Sequence, residues 1–272
     1  MTTNGYTTTI LPARDWPERI FRMMLGQQVE IVRGRVEGAY PVVVDGHLIA
    51  VGAVTDVLVL DGSTIKDPSI APSTGVQMSI VSTSAQDGVG GTGVQSIRFR
   101  YLDVNLIEQE EAITLNGTTP VLTAATDIRW VGEIHMLTYG AGKAFAGDVT
   151  VTNAGTRYKF IPAGNRTTRS SVFRVPAGKR LIVHTIYAAS ISGTAAARVN
   201  VDIVVSRVNS DSFADAGLLF AQGSIGLQDG SAILADGALY AIPAGEIIAL
   251  RATTDKSATI SGGLFGWLED VD

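Results

Sequence analysis

The sequence predicts an all-β protein: an antiparallel β-sandwich or jelly roll, preceded by an extended N-terminal arm, a short helix and a small β-meander. Three observations predict it. Short runs alternate apolar with polar residues at a period of two. Turn residues close run after run at close spacing, as in sandwiches and barrels of short strands. A Pro-Ala-Gly corner recurs at 162–164, 176–178 and 243–245, each directly after Ile or Val. Proline there presets the second position of a type I turn with glycine at the fourth, so that a strand ends, reverses and restarts.

Residues 1–28 read as arm and helix. The segment 2–11 is Thr-rich and nearly uncharged, an extended stretch with no core of its own. Asp15 caps a turn, Glu18 three residues on completes a capping box, and Pro17 suits the first turn. Trp16, Ile20 and Met24, joined by Phe21 and Leu25, form one apolar stripe that Gly26 can end. From Val29 the period becomes two, and 42–44 and 54–60 are rich in β-branched residues. Asp45-Gly46 and Asp61-Gly62 follow these as turn dipeptides, which gives a meander over 29–75. The Ser/Thr/Pro-rich stretch 63–74 marks the boundary to a main domain over 76–272.

That domain reads as strand after strand. A glycine-rich loop, 88–93, precedes a run in which Ile97, Phe99 and Tyr101 point one way and Ser96, Arg98 and Arg100 the other. Residues 112–115 end at Asn116-Gly117, a strong hairpin signal. Further strands are expected at 128–137, 148–152, 171–175, 181–191, 198–208, 218–223, 237–242, 247–252 and 264–268.

Composition excludes several classes of chemistry. The 272 residues include no cysteine, which rules out disulfides, thiolate nucleophiles and iron–sulfur or zinc–cysteine sites. With 21 Lys and Arg against 26 Asp and Glu, the net charge of −5 argues against a sequence-independent grip on nucleic acid. No secretory signal is read at Met1–Tyr6, and the most apolar segment, 48–60, is broken by Asp56 and short of the roughly 18 apolar residues of a membrane span. The glycine loop is followed by a strand where a phosphate cradle would need a helix. His47, His135 and His184 are far apart and each falls in an expected strand, which makes them packed or half-exposed strand residues before metal ligands. No Gly-x-Ser-x-Gly elbow is present. Asp103, Glu108, Glu110 and Glu111 crowd one loop; they read as a solvated hairpin tip, or as the paired carboxylates of a glycoside hydrolase. No catalytic, cofactor-binding or metal-ligating residue is assigned.

Against that acidic tip stands a basic tract of Arg157, Lys159, Arg166, Arg169, Arg174, Lys179 and Arg180. It is either an ordinary solvated face or a contact surface, since arginine's planar fork favours fixed pairing with carboxylates. As a contact surface it would bind an acidic neighbour through Arg157, Arg166, Arg169 and Arg174, while Trp16, Ile20, Phe21 and Met24 of the arm are buried against adjacent subunits.

Several motifs together carry a family likeness. They are Val81-Ser82-Thr83-Ser84-Ala85-Gln86-Asp87, Gly91-Thr92-Gly93-Val94-Gln95-Ser96-Ile97-Arg98, Tyr101-Leu102-Asp103, Thr114-Leu115-Asn116-Gly117-Thr118-Thr119-Pro120-Val121 and Thr126-Asp127-Ile128, followed by Ala146-Gly147-Asp148 and a Pro-Ala-Gly corner. This block, within 81–178, resembles one recurring in virion structural proteins of tailed bacteriophages, marine and cyanobacterial ones above all. The resemblance implies a jelly-roll, non-enzymatic virion component on the capsid surface. A capsid cement or decoration protein would contact the major capsid protein and further copies of itself as a homotrimer, bridging neighbouring capsid subunits. The alternative is a tail or head-fibre component acting in host adsorption. Residues 1–75 carry no such likeness.

Overall fold

The structure is a computed structural model in which residues 36–62, 71–192, 197–206, 219–228, 230–234 and 240–271 are described. The expected arm and helix over 1–28 lie outside the described residues, as do Trp16, Ile20, Phe21, Met24 and the first part of the meander. Among the described residues there is no helix, and every strand pairing is antiparallel.

Two strands come first, β1 (Ala39–Ala50) and β2 (Val54–Leu58). Seven follow: β3 (Ser79–Ser82), β4 (Val94–Leu102), β5 (Glu108–Thr114), β6 (Val121–Leu122), β7 (Trp130–Tyr139), β8 (Val149–Asn153) and β9 (Thr156–Ile161). The remainder are β10 (Phe173–Arg174), β11 (Lys179–Ser192), β12 (Arg198–Ser206), β13 (Leu219–Gln228), β14 (Gly230–Leu234), β15 (Tyr240–Ile242), β16 (Ile247–Thr254) and β17 (Ala258–Asp270).

These strands form four sheets. The first runs β1-β17-β11-β14, with β15 also on β11; the second runs β10-β16-β12-β13, with β2 also on β16; the third is β6-β3-β8-β9; the fourth is β5-β4-β7. One apolar core takes residues from the first and second sheets, among them Leu48, Val183, Val201, Leu250 and Leu264. Another takes residues only from the third and fourth and their loops, among them Ile80, Phe99, Ile134, Phe145 and Val149. The strands β3–β9 are therefore an insert with its own core, between two halves of a unit built from both ends of the described chain.

This grouping corrects the meander. β1 and β2 do not pair with each other: β1 pairs with β17 along all its residues, and β2 pairs with β16 in the other sheet. The stretch 63–74 does fall between units, but β10–β17 return to the strands that precede it. Asp45-Gly46, expected as a turn, lies inside β1. Gly46 is there because the backbone passes so close to a neighbouring segment that a Cβ would sit 2.1 Å from the Val59 carbonyl oxygen. Asp45 accepts a 2.7 Å hydrogen bond from Tyr187 Oη.

Chain exit and re-entry run side by side. Leu60 bridges Ser170, and the Asp61 N–H donates to the Arg169 carbonyl at 3.0 Å. The buried Asp61 carboxylate seals this neck, with His47 Nδ1 at 3.1 Å, Asn165 Nδ2 at 3.2 Å and two Arg169 guanidinium nitrogens at 3.4 Å. A third apolar cluster joins the units, with Leu102 and Trp130 of the insert packed against Leu58, Val204, Ile247 and Ala249 of the second sheet.

Inside the insert, the glycine-rich loop is organised by one buried carboxylate. Asp87 accepts hydrogen bonds from Ser82 Oγ at 2.6 Å and from the N–H groups of Val94, Ala146 and Gly147 at 2.9 Å each. Backbone donors that would otherwise be orphaned in a tight loop are thus satisfied. Asn116-Gly117 does make a turn, closed by the Thr119 N–H on the Asn116 carbonyl, but it links β5 and β6 of different sheets and is not a hairpin. The residues 108–111 are not a loop tip either, for they begin β5, an edge strand of the fourth sheet.

The three Pro-Ala-Gly corners are turns of another kind than expected. In each, the residue after glycine donates to the proline carbonyl: Asn165 to Pro162, Lys179 to Pro176, Glu246 to Pro243. Proline is thus the first residue of the turn and glycine the third, with φ of +84° at Gly164, +70° at Gly178 and +80° at Gly245. That is the type II arrangement, which reserves the left-handed third position for glycine.

Candidate functional site

Where the insert meets the first two sheets, a cleft of about 490 Å³ opens, a size that suits a small molecule. β4, β5, β7 and β9 supply one wall with Arg100, Tyr101, Glu108, Glu133 and Lys159. β1, β10 and the start of β11 supply the other with Tyr40, Val42, Arg174 and Lys179. Leu102, Trp130, Thr168, Ser170 and Val172 complete the lining.

The strands fix the charged wall by register. Phe99 faces the insert core, so Arg98 and Arg100 point outward beside the equivalent positions of β5, where Arg100 opposes Glu110. Arg100 Nε lies 3.4 Å from Glu110 and its Nη1 4.0 Å from Glu108; Arg98 Nε is also 3.4 Å from Glu110. The acidic residues read as candidate catalytic carboxylates are thus tied to arginines across the ladder. Glu111 instead accepts the N–H groups of Ala124 and Ala125. Burial works to raise the Glu133 carboxyl, but a 2.9 Å hydrogen bond with His135 and the charges of His135, Lys159 and Arg100 hold it below the usual range.

Lys159 differs from the other cations of the cleft. Burial pushes its ammonium down to about 8 against an opposing attraction from Glu133. Among the described residues no hydrogen bond or ion pair within 4 Å engages its Nζ. Around it, Thr168 Oγ1 accepts from the Ile134 N–H at 3.2 Å and Ser170 Oγ from the Val172 N–H at 3.3 Å, which leaves both hydroxyl hydrogens free to donate.

Most cations of the basic tract are already engaged within the chain. Arg169 is held on Asp61, Lys179 on Asp270, and Arg180 on Glu269 at 2.7 Å. Arg157 donates to the Gly62 carbonyl at 2.8 Å and lies over the Phe160 ring. Arg174 is only 2% exposed, so it presents no surface to a neighbour. Arg166 alone of the four candidate contact arginines is exposed and without a side-chain partner among the described residues. With Arg174 buried, the four do not all stand on one exposed face.

Sequence reasoning passed over two features. The cleft needs Tyr40, Trp130 and Lys159 from three distant segments, and only Lys159 carried a signal: 156–161 alternates Arg157 and Lys159 with Tyr158 and Phe160, the period of a strand. The other is the outer face of the first sheet. Val43, Ile49 and Ile191 stand there 57%, 62% and 72% exposed, with Ile49 and Ile191 both opposite Thr259 of β17. The three histidines do lie in strands, on Asp61, Glu133 and Thr185 respectively.

Among the described residues, no group of three or more His, Asp or Glu could hold a metal ion, and no helix is long and apolar enough to cross a membrane. No family model matches the chain, and no curated protein is similar to it.

Proposed function

We propose that this chain is a non-enzymatic virion structural protein, a capsid cement or decoration subunit that binds the outer surface of a capsid and bridges neighbouring capsid subunits. The observation that carries the reading is the apolar outer face of the first sheet. Exposed Ile49 on the edge strand and exposed Ile191 two strands away flank Thr259, with exposed Val43 further along the edge, and exposed apolar side chains on one sheet face suit an interaction surface. The motif likeness to tailed-phage virion proteins supports the same reading.

Strand order supports a jelly roll for the end-built unit. Counting β2 with β10 as one strand and β14 with β15 as another leaves eight. The first sheet then holds strands one, eight, three and six, and the second holds two, seven, four and five, the order of a jelly roll. A homotrimer at a three-fold point is the assembly proposed for it.

The test is binding to capsids stripped of this protein. The double variant Ile49→Lys/Ile191→Lys, with both positions on the surface, is expected to stay folded by circular dichroism and to lose capsid binding. Undiminished binding by that variant overturns the assignment of this face. A second reading, a tail or head-fibre component acting in host adsorption, is favoured by the cleft. Copy number separates the two: a gel band comparable to that of the major capsid protein supports cement, and a band far weaker supports a fibre.

A further inference from the structure

We propose that the cleft between the insert and the first two sheets is a binding site for a carboxylate-bearing sugar, with Lys159 as the group that meets the carboxylate. The inference does not depend on a virion role.

Among the described residues, the cleft offers donors with free hydrogens. Lys159 contributes an ammonium with no hydrogen-bonding partner, and the Thr168 and Ser170 hydroxyls keep their hydrogens because their oxygens already accept from backbone N–H groups. An ordinary buried lysine is paired, since desolvating an ammonium without a partner is costly. Lys159 is tolerated here because its head opens into the cleft, where an anion can complete it.

The same wall restricts which anion fits. Glu108 and Glu133 line the same cleft, and Glu133 acts on Lys159, so the site offers an ammonium for one negative charge and carboxylate acceptors for hydroxyl hydrogens. A polyhydroxylated monoanion uses both. Tyr40, with Lys179 over one face of its ring, and Val42 beside it supply apolar surface for the body of a sugar ring, and about 490 Å³ is room for one. Of the other cations around the site, Arg100 is engaged by Glu108 and Glu110 and Lys179 by Asp270, and Arg174 is only 2% exposed.

The experiment is calorimetric titration of the full chain with sodium galacturonate, with galactose and inorganic phosphate as comparison probes. Galacturonate is expected to saturate the protein at pH 7 and galactose to bind far more weakly. Lys159→Met, which keeps the stem and removes the charge, is expected to weaken galacturonate binding by about tenfold or more, the worth of one charge-assisted hydrogen bond. Thermal unfolding of the variant at pH 7 should not fall below that of the wild type. Affinity for galacturonate should decline as pH rises through about 8, where Lys159 loses its proton in a cleft that Glu108, Glu133, Arg100, Arg174 and Lys179 also line. Failure to saturate, equal binding by Lys159→Met, or phosphate binding as tight as galacturonate each overturns the proposal.

Discussion

The two cores of this molecule are built from opposite kinds of chain. The insert closes its core with strands that lie within 79–161, so its contacts are local in sequence, and one buried carboxylate, Asp87, ties its loops to β4. The other unit joins residues from the beginning and end of the described chain, as when Leu48 meets Ile260, and its central strands carry glycines where backbones cross. Loop closure is costlier for the second kind, because ordering must span the whole insert before the pairing is rewarded. The comparison teaches that one chain can close one half around a buried carboxylate from a single stretch of sequence and the other from segments that a whole insert separates.

The largest effect is expected where the insert depends on a single group. Asp87→Ala leaves the Val94, Ala146 and Gly147 N–H groups without their acceptor, at roughly 1–3 kcal/mol each, a total of about 4 kcal/mol or more. Amide exchange should speed up at Ile97 and Ile134 while Val201 and Leu250 stay protected. Simultaneous loss of protection in both cores would show that they fold as one and break the comparison. Gly263→Ala comes next, because its Cβ would stand 1.9 Å from the Val44 carbonyl oxygen. A clash of that kind costs about 1–3 kcal/mol, and exchange should rise along β1 and β17 while the insert is spared. Smallest is the effect of Lys159, which belongs to the boundary between the units. Its folded pKa is depressed, so the unfolded chain binds more protons between about pH 8 and the ordinary lysine range. Stability should therefore rise with pH through that window, and Lys159→Met should abolish that rise. A rise that persists in the variant would assign it to other groups.

Much of the secondary structure is legible in the sequence, and the partnership of strands is not. The period of two in 96–102 places Ile97 and Phe99 inward, as the structure has them, because alternation reports a half-buried face directly. Nothing in 39–50 announces that its partner is 258–270, since alternation has no address. Asp45-Gly46 misleads for the same reason: a glycine required by a crossing backbone is written like a glycine required by a turn. β9 is hidden by its own charges, which draw 157–180 into a single basic tract. The cleft assembles from residues such as Tyr40, Trp130 and Lys159 only after the insert is docked, so no local pattern could reveal it.

One small contact sets how freely the halves can move. Leu106, in the connection between β4 and β5, holds a left-handed backbone with φ of +61°, a conformation that disfavours a residue with a side chain. Its carbonyl accepts the Ala177 N–H at 2.8 Å, and its methyl group lies within reach of Gly245 on the adjoining corner. Together with the Asp61 seal this gives the insert two separate moorings, so swinging on one would tear the other. Whatever load falls across the two units, they offer a stiff bracket in place of a hinge.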